Sequence, residues 1–369
     1  MVRVLHMIGS LELGGSQSMI MNIYRKIDRE KLQFDFIVDH PDRMYFADEI
    51  HKLGGKIFIM PTFVGSNVLE IRKKWKEFFL DHQEYKILHS HVRSYASLYL
   101  PIAKKFGITT IIHSHSTSNG RGATALIKNI LQIPLRFQAD YFMACSKCAG
   151  QWLFGKRIVR QKNFFIIRNA IDLEQFAYNA DVRIKTRKEL GIEKEFVLGF
   201  LGRVTAPKNP WFVLDVFNEI KQRKQNVKLL FVGDGELLQE IKESAKDKGL
   251  AKDIIFTGTK GNTFELYAAM DAYCFPSLWE GLGISLIEAQ ASGVYCICSE
   301  NIPDEAIVTD LVEKVKLDKG AAIWARKILQ HQKYNRKCTS DLIRKAGYDI
   351  RENARWIQKF YLKIGKSIY

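Results

Sequence analysis

The amino-acid sequence predicts an α/β protein built from two Rossmann-like, doubly wound domains that face each other across a cleft. At 369 residues the chain is longer than one hydrophobic core usually serves. Short runs rich in Val, Ile and Phe alternate with amphipathic helical stretches, which is typical of parallel βαβ units. This alternation stops in a polar segment at residues 172–195 and then starts again. Each half is therefore expected to form its own sheet.

The candidate strands fall into two groups. In the first domain, residues 1–172, they are Val2–Ile8, Phe34–Val38, Lys56–Met60, Ile87–Ser90, Thr109–His113, Tyr141–Cys145 and Phe164–Arg168. In the second domain, residues 173–347, they are Phe196–Leu201, Lys228–Val232, Ile254–Thr257, Ala272–Phe275 and Val294–Cys298. The remaining residues, 348–369, are expected to form one helix over Ile350–Ile364.

Composition excludes several classes of protein. The hydrophobic and charged fractions, 47% and 26%, are ordinary for a globular chain, and no apolar run is long enough to span a membrane. The first residues lack the pattern of a signal peptide, so a cytoplasmic location with reduced cysteines is predicted. A net charge of +16 suits partners that carry phosphate, but no nucleic-acid-binding motif is present.

The most informative motif lies at residues 276–293, where a strand ends, a loop with glycines follows and a helix starts near Gly283 or Ile284. Free amides at such a helix start bind phosphate, helped by the helix dipole. Glu280 precedes the helix and is placed to reach a sugar hydroxyl. Glu288 falls in the second turn and is placed to hold the hydroxyls of a ribose. The expected phosphate-binding residues are Gly281, Leu282, Gly283 and Ile284.

A second motif lies after the first strand of the second domain. Arg203 follows the strand end and Lys208 is expected at the start of the next helix, so both cations can face a diphosphate in place of a metal. Two glycine turns, one containing Asp234 and one ending at Lys260, support a ligand site only weakly, because such turns are common in this type of fold.

These motifs, in this order, resemble glycosyltransferase family 4, whose members are retaining enzymes of GT-B fold. The resemblance implies that Glu280 contacts the donor sugar and Glu288 the ribose, and that Arg203 and Lys208 clamp the diphosphate. It further implies that backbone groups near Lys260 read the base. By the same resemblance, the last helix returns to the first domain.

In the first domain, Gly14 and Gly15 follow the first strand and are expected to bring backbone against donor phosphate or acceptor. The loop lacks the Gly-x-Gly-x-x-Gly pattern of a dinucleotide-binding dehydrogenase. The family has a similar Gly-Gly loop at this position.

Two His-Ser-His pairs end candidate strands, at His89 and His91 and at His113 and His115. A shared metal is not expected, on the interpretation that the two rings of each pair face opposite sides of the sheet, so that each pair offers one ligand. The resemblance implies a histidine near the reacting carbon of the donor sugar. His115 is the first choice and His113 the second, and His91 and His113 are expected on the acceptor side.

The implied reaction is transfer of a sugar, with retention, from a nucleotide diphosphate sugar such as a UDP-sugar. The acceptor would be a glycan or a polyprenyl-diphosphate-linked sugar in capsule or exopolysaccharide synthesis, and neither a metal nor another cofactor would be needed. The alternatives are a sugar-nucleotide epimerase of the same fold and a non-catalytic nucleotide-binding protein. Two basic, apolar segments, residues 72–80 and 125–136, could contact anionic lipid at the inner face of the membrane, although a core-facing helix is the preferred interpretation of each.

Overall fold

The chain forms two parallel sheets. The structure is a computed structural model that describes residues 1–116 and 123–366, and for residues 123–127 it describes the backbone alone. Residues Met1–Ile171 and Gly347–Tyr369 form the first unit, and Asp172–Ala346 form the second. The limits given by the sequence pattern, after residues 172 and 347, differ from these by one residue at each junction.

The first unit contains a seven-stranded parallel sheet in the order β3-β2-β1-β4-β5-β6-β7. Its strands are β1 Val2–Met7, β2 Leu32–Val38, β3 Ile57–Ile59, β4 Ile87–Ser90, β5 Thr109–Ser114, β6 Tyr141–Ala144 and β7 Phe164–Ile166. Its helices are α1 Gly15–Lys26, α2 Ala47–Lys52, α3 Val68–Asp81, α4 Ala96–Lys105, α5 Ala123–Gln132, α6 Leu135–Gln138 and α7 Lys147–Ile158. The strand order reverses between β1 and β4, and ligands of such sheets bind at the carboxyl ends beside that point.

The second unit contains a six-stranded sheet in the order β10-β9-β8-β11-β12-β13. Its strands are β8 Phe196–Leu201, β9 Val227–Val232, β10 Ile254–Gly258, β11 Ala272–Phe275, β12 Tyr295–Ser299 and β13 Val312–Val315. Its helices are α8 Leu173–Phe176, α9 Ala180–Glu189, α10 Pro210–Arg223, α11 Leu238–Asp247, α12 Thr263–Ala269, α13 Ile284–Ala291, α14 Ala321–Gln330 and α15 Ser340–Lys345. Here the order reverses between β8 and β11, the strands that precede the two main motifs.

Twelve of these strands overlap the strands predicted from the sequence, and β13 was missed. It is a short strand at the sheet edge with the sequence Val-Glu-Lys-Val, which lacks the continuous apolar run of a strand covered on both faces. By contrast, β2 is buried along its whole length.

The last helix, α16 Ile350–Lys366, belongs to the first unit. It packs against α1, β1 and β2 and buries Ile357, Tyr361 and Ile364 in the core that those elements form. The Asp349 carboxylate accepts a hydrogen bond from the amide of Arg351 at 2.9 Å, which satisfies one free donor of the first turn.

Candidate functional site

The predicted helix start after β11 is present, and glycine is required for it. Gly283 directly precedes α13 with φ of 87°, a left-handed conformation that residues with a Cβ rarely adopt. A Cβ there would also lie 3.1 Å from the ring of Phe275. The chain can therefore leave the buried end of β11 and begin a helix within a few residues, which exposes the first amides of α13 at the sheet edge.

Glu280 and Lys208 meet at this edge. The Lys208 ammonium donates a hydrogen bond to Glu280 Oε1, and the Ser277 hydroxyl donates to the same oxygen at 2.8 Å. The Glu280 side chain is only 9% exposed and that of Lys208 23%, so the charge pair is poorly hydrated. Ser277 was not identified from the sequence, because its role depends on a contact three residues along a loop.

Backbone contacts between two loops hold this pair in place. A short turn of 3₁₀ helix at Ala206–Lys208 is followed by Asn209 at φ of 53°, and α10 then starts at Pro210. The amide of Leu278 donates to the carbonyl of Pro207 at 2.8 Å, and the Asn209 side-chain amide donates to the carbonyl of Pro276 at 3.3 Å. The sequence predicted Lys208 at the start of the helix. In the structure it lies in the 3₁₀ turn that precedes α10.

Arg203 and Lys260 are exposed. In the described part of the chain, Arg203 makes no side-chain ion pair, whereas Lys208 pairs with Glu280. The structure therefore brings Lys208 and Glu280 into contact and places Arg203 on the same loop without joining it to them. The role predicted for Arg203 and that predicted for Lys260 stay predictions.

Two glycines allow the loops after β8 and β9 to pack closely. The amide of Val204 donates to the carbonyl of Asp234 at 2.8 Å, and a Cβ on Gly233 would lie 1.9 Å from the carbonyl oxygen of Gly202. A Cβ on Gly235 would lie 2.5 Å from the carbonyl oxygen of Val204. Asp234 is exposed and its carboxylate accepts a hydrogen bond from the amide of Gly235 at 2.7 Å. Gly233 and Gly235 are therefore needed for the packing of the two loops against each other.

Glu288 lies in the second turn of α13 and is partly buried. Burial raises the pKa of its carboxyl from 4.5 to about 7, although the hydrogen bond from Tyr267 opposes the shift. The Tyr267 hydroxyl donates to Oε2 at 3.0 Å. A carboxyl with this pKa changes its charge near neutrality.

In the first unit, Gly14 directly precedes α1 and Gly15 is its first residue. This loop leaves β1 at the point where the strand order reverses. The Gln17 side-chain amide donates to the carbonyl of Ser10 at 3.2 Å, which closes the loop. Asn169, which the sequence did not single out, lies 4.0 Å from the position of a Cβ on Gly15, and its Oδ1 is buried without a partner among the described residues.

Five histidine side chains lie together in this unit: His6, His89, His91, His113 and His115. His91 contacts His6 at 3.1 Å and His115 at 2.8 Å through its two ring nitrogens. Burial lowers the pKa of His115 and of His6 to about 3, so these rings are neutral near pH 7. His6 was not predicted as part of this group, because it lies inside the first strand and no motif marks it.

The two histidine rings of each pair face the same side of the sheet, so the prediction that they face opposite sides was wrong. Residues two apart in a strand face the same side of a sheet, and the rings of His89 and His91 stack with centroids 4.3 Å apart. Two groups of three imidazoles, His6 with His89 and His91, and His91 with His113 and His115, have nitrogens within 4.8 Å of one another. Either group could offer three ligands to a metal ion, although Arg93, whose positive charge helps to lower the pKa of His115, disfavours a cation beside the second.

The helix predicted from the first basic, apolar segment faces the core. Helix α3 buries Ile71, Trp75, Phe78 and Phe79, which agrees with the preferred interpretation of the first segment. The second segment includes residues 125–127, whose side chains lie outside those described. Among the described residues, no helix is long and apolar enough to cross a membrane.

Comparison with known proteins identifies the family. Residues 182–340 match the model of glycosyl transferases group 1, and residues 13–175 match that of Glycosyltransferase Family 4. The chain is 31% identical over 368 residues to EpsF of Bacillus subtilis (strain 168), a protein named as a glycosyltransferase, with 97% of this chain and 96% of EpsF covered. The chain therefore belongs to glycosyltransferase family 4.

Further similarities agree with this family and with its GT-B fold. CapH of Staphylococcus aureus, a capsular polysaccharide biosynthesis glycosyltransferase, is 22% identical, with 90% of this chain and 92% of CapH covered. A crystal structure of a glycosyltransferase from Rickettsia africae has a TM-score of 0.79 at 16% identity and covers 99% of both chains. The protein is thus a glycosyltransferase of the type found in capsular and exopolysaccharide pathways.

Proposed function

We propose that this protein transfers a sugar, with retention, from a UDP-sugar to a sugar linked to polyprenyl diphosphate, without a metal. The contact between Lys208 and Glu280 at the reversal point of the second sheet carries the proposal. It places a cation for a leaving diphosphate and a carboxylate for sugar hydroxyls within one hydrogen bond of each other, beside the first amides of α13.

The relatives support the choice of substrates. A galactosyltransferase of Escherichia coli that is 25% identical, with 78% of this chain covered, is named for UDP-Gal and for a diphosphoundecaprenol acceptor. A Campylobacter jejuni enzyme that is 25% identical over 48% of this chain is also named for a diphospho-undecaprenol acceptor. We extend both substrate classes to this chain as part of the proposal.

In the proposed reaction the bond between the sugar carbon and the phosphate oxygen breaks, and a bond from that carbon to the acceptor oxygen forms on the same face. The leaving phosphate oxygen takes the proton of the acceptor hydroxyl. Amides of residues 281–284, Lys208 and Arg203 stabilise the charge that grows on the diphosphate, and each donor of this kind is worth a few kcal/mol (about 3 to 4) in the transition state. Glu288 holds the ribose, Lys260 lies at the base, and His115 contacts the sugar.

The decisive experiment incubates the purified chain with a panel of UDP-, GDP- and ADP-sugars, with and without a synthetic sugar linked to polyprenyl diphosphate. The proposal expects a new glycosidic product only when a UDP-sugar and the acceptor are both present. An altered donor sugar formed without acceptor would instead indicate an epimerase. Concentration-dependent stabilisation by UDP without any product from the full panel would indicate a nucleotide-binding protein.

Metal independence is tested by dialysis against EDTA. Because the two cations supply the positive charge at the diphosphate, we expect the rate of transfer to change by less than about twofold after dialysis or on addition of Mg²⁺ or Mn²⁺. Loss of transfer that is restored by one of these ions would contradict this part of the proposal and leave the donor assignment intact.

A further inference from the structure

Arg93 is a charged side chain with no counterion in the described part of the chain. Its Nη1 is buried and has no hydrogen-bond partner there, and burial lowers the pKa of its guanidinium. An arginine keeps its charge at neutral pH, and a buried charge without a partner is strongly unfavourable. Arg93 as a whole is half-buried, so the position can receive an anion, which the described residues do not supply.

The surroundings of Arg93 contain no alternative partner among the described residues. The groups that act on its charge are Cys145, a buried thiol, and His115, which is neutral near pH 7. Asp39 accepts a hydrogen bond from Tyr95 at Oδ2, and its buried Oδ1 has no hydrogen-bond partner among the described residues, so Asp39 is not bonded to Arg93. Arg93 follows β4, next to the point where the strand order of the first sheet reverses, which is where a ligand of this unit is expected.

An apolar groove begins beside Arg93. The guanidinium lies over the ring of Trp152, with 5.0 Å between its central carbon and the ring centroid. Trp152 also lines a groove of about 340 Å³, whose other apolar lining residues are Ile130, Ile133 and Leu153 and whose polar lining residues are Asn129, Gln132 and Arg136. Ile130 and Ile133 are 57% and 52% exposed, which is unusual for adjacent large apolar residues on a helical segment unless they meet a partner.

We propose that Arg93 binds a phosphate of the acceptor and that this groove receives the first isoprene units of its chain. The inference rests on the proposed function and deepens it, since it names the group that recognises the acceptor. The ring of Trp152 contacts the Arg93 guanidinium and also lines the groove. A ligand in which a diphosphate is joined to an apolar chain could therefore bind Arg93 and the groove at the same time. A planar guanidinium fits phosphate with two parallel hydrogen bonds.

The test measures binding of three probes by calorimetry: farnesyl diphosphate, farnesol and inorganic pyrophosphate. The Lys208→Ala protein is used throughout, so that pyrophosphate at the proposed donor site does not contribute. We expect one farnesyl diphosphate per chain, bound more tightly than either partial probe. Arg93→Gln should weaken it by about 30-fold or more, and Arg157→Gln, which removes an exposed arginine of α7, should leave it unchanged.

A second variant separates the chain from the phosphate. Ile133→Asp should weaken farnesyl diphosphate and leave pyrophosphate unchanged, because it alters only the apolar groove. Equal binding of farnesyl diphosphate and pyrophosphate would overturn the inference in favour of a site for free phosphate. Unchanged binding by Arg93→Gln would overturn it as well.

Stability distinguishes recognition from a structural role. Since the buried Nη1 of Arg93 has no partner among the described residues, Arg93→Gln should unfold at the same or a higher temperature than the parent protein without ligand. A lower unfolding temperature together with weaker binding would assign Arg93 to the structure and overturn the inference. Stabilisation by UDP, measured with Lys208 intact, should not change in Arg93→Gln, so a failure of the donor proposal would be seen separately.

Discussion

Glu280 uses one carboxylate oxygen for the protein and has a second for a ligand. Lys208 and Ser277 both donate to Oε1, and among the contacts of the described residues Oε2 accepts none. The fixed oxygen orients the side chain, and the other is available to sugar hydroxyls. This division of roles would let a nearly buried carboxylate take part in the proposed binding of the donor sugar.

Removing either member of this pair should reduce transfer strongly. We expect Glu280→Gln and Lys208→Ala each to lower kcat by about 100-fold or more, because each removes a group that stabilises the reacting donor. Steady-state kinetics with a saturating donor measures the effect. Lys246→Ala, at an exposed lysine of α11, is the control and should keep full activity. Full activity in Glu280→Gln and Lys208→Ala would show that neither residue takes part in catalysis.

The raised pKa of Glu288 predicts a pH-dependent stability. Its carboxyl has a pKa of about 7 in the folded protein against an ordinary 4.5, so its contribution is fully present below pH 4.5 and is lost as the pH rises through 7. Glu288→Gln should therefore gain stability relative to the parent between those values, by at most about 3 kcal/mol. Urea unfolding of both proteins at about pH 5 and about pH 8 measures the difference; parallel profiles would contradict it.

At the level of elements, two loops of the second sheet, after β9 and after β11, use glycine for different purposes. A Cβ on Gly233 would collide with backbone, whereas Gly281 has open space around it and no left-handed φ. The first glycine is needed to pack two loops together. The second is not required by the ligand-free protein, which agrees with a role in letting a donor approach.

Alanine substitutions should separate these roles. Gly281→Ala should keep the unfolding temperature within the measurement error and weaken UDP binding about tenfold, because its Cβ would enter the space of the phosphate. Gly233→Ala should destabilise the protein by about 2 kcal/mol or more, because backbone must move. Thermal unfolding with and without UDP measures both, and a destabilised Gly281→Ala protein would refute the distinction.

Sequence patterns located the strand-to-helix turns well because their signals are local. A strand end, a glycine and a following helix occupy consecutive residues, as in the segment from Phe275 to Ile284. The same reasoning missed Ser277 and Arg93, whose importance comes from what they contact. It also failed for the histidines, where a wrong assumption about strand faces hid a cluster that includes His6.

For the whole molecule, the main structural consequence is that the first unit is completed by residues far away in the sequence. Helix α16 contributes Ile357, Tyr361 and Ile364 to the core around β1, β2 and α1, and the ring of His89 contacts the hydroxyl of Tyr361. Without this helix the apolar face of those elements would be exposed to water.

Truncation tests this dependence. A chain ending at residue 347 should be insoluble or unfold at a much lower temperature, because the core of the first unit loses several large apolar side chains, each worth about 2 to 5 kcal/mol. A chain ending at residue 366 is the control and should unfold like the full-length protein. Equal unfolding temperatures for all three chains would show that α16 does not stabilise the first unit.

The sequence by itself determined the two-sheet α/β plan, the family, the loops that carry Glu280 and Lys208 and the helix that carries Glu288, since periodicity and turn chemistry depend on neighbouring residues. Only the tertiary structure decided that Lys208 pairs with Glu280, that five histidines gather in one place, and that Arg93 has no counterion among the described residues. Those features join residues from different strands and helices. Their distances depend on how the chain packs, which no local pattern specifies.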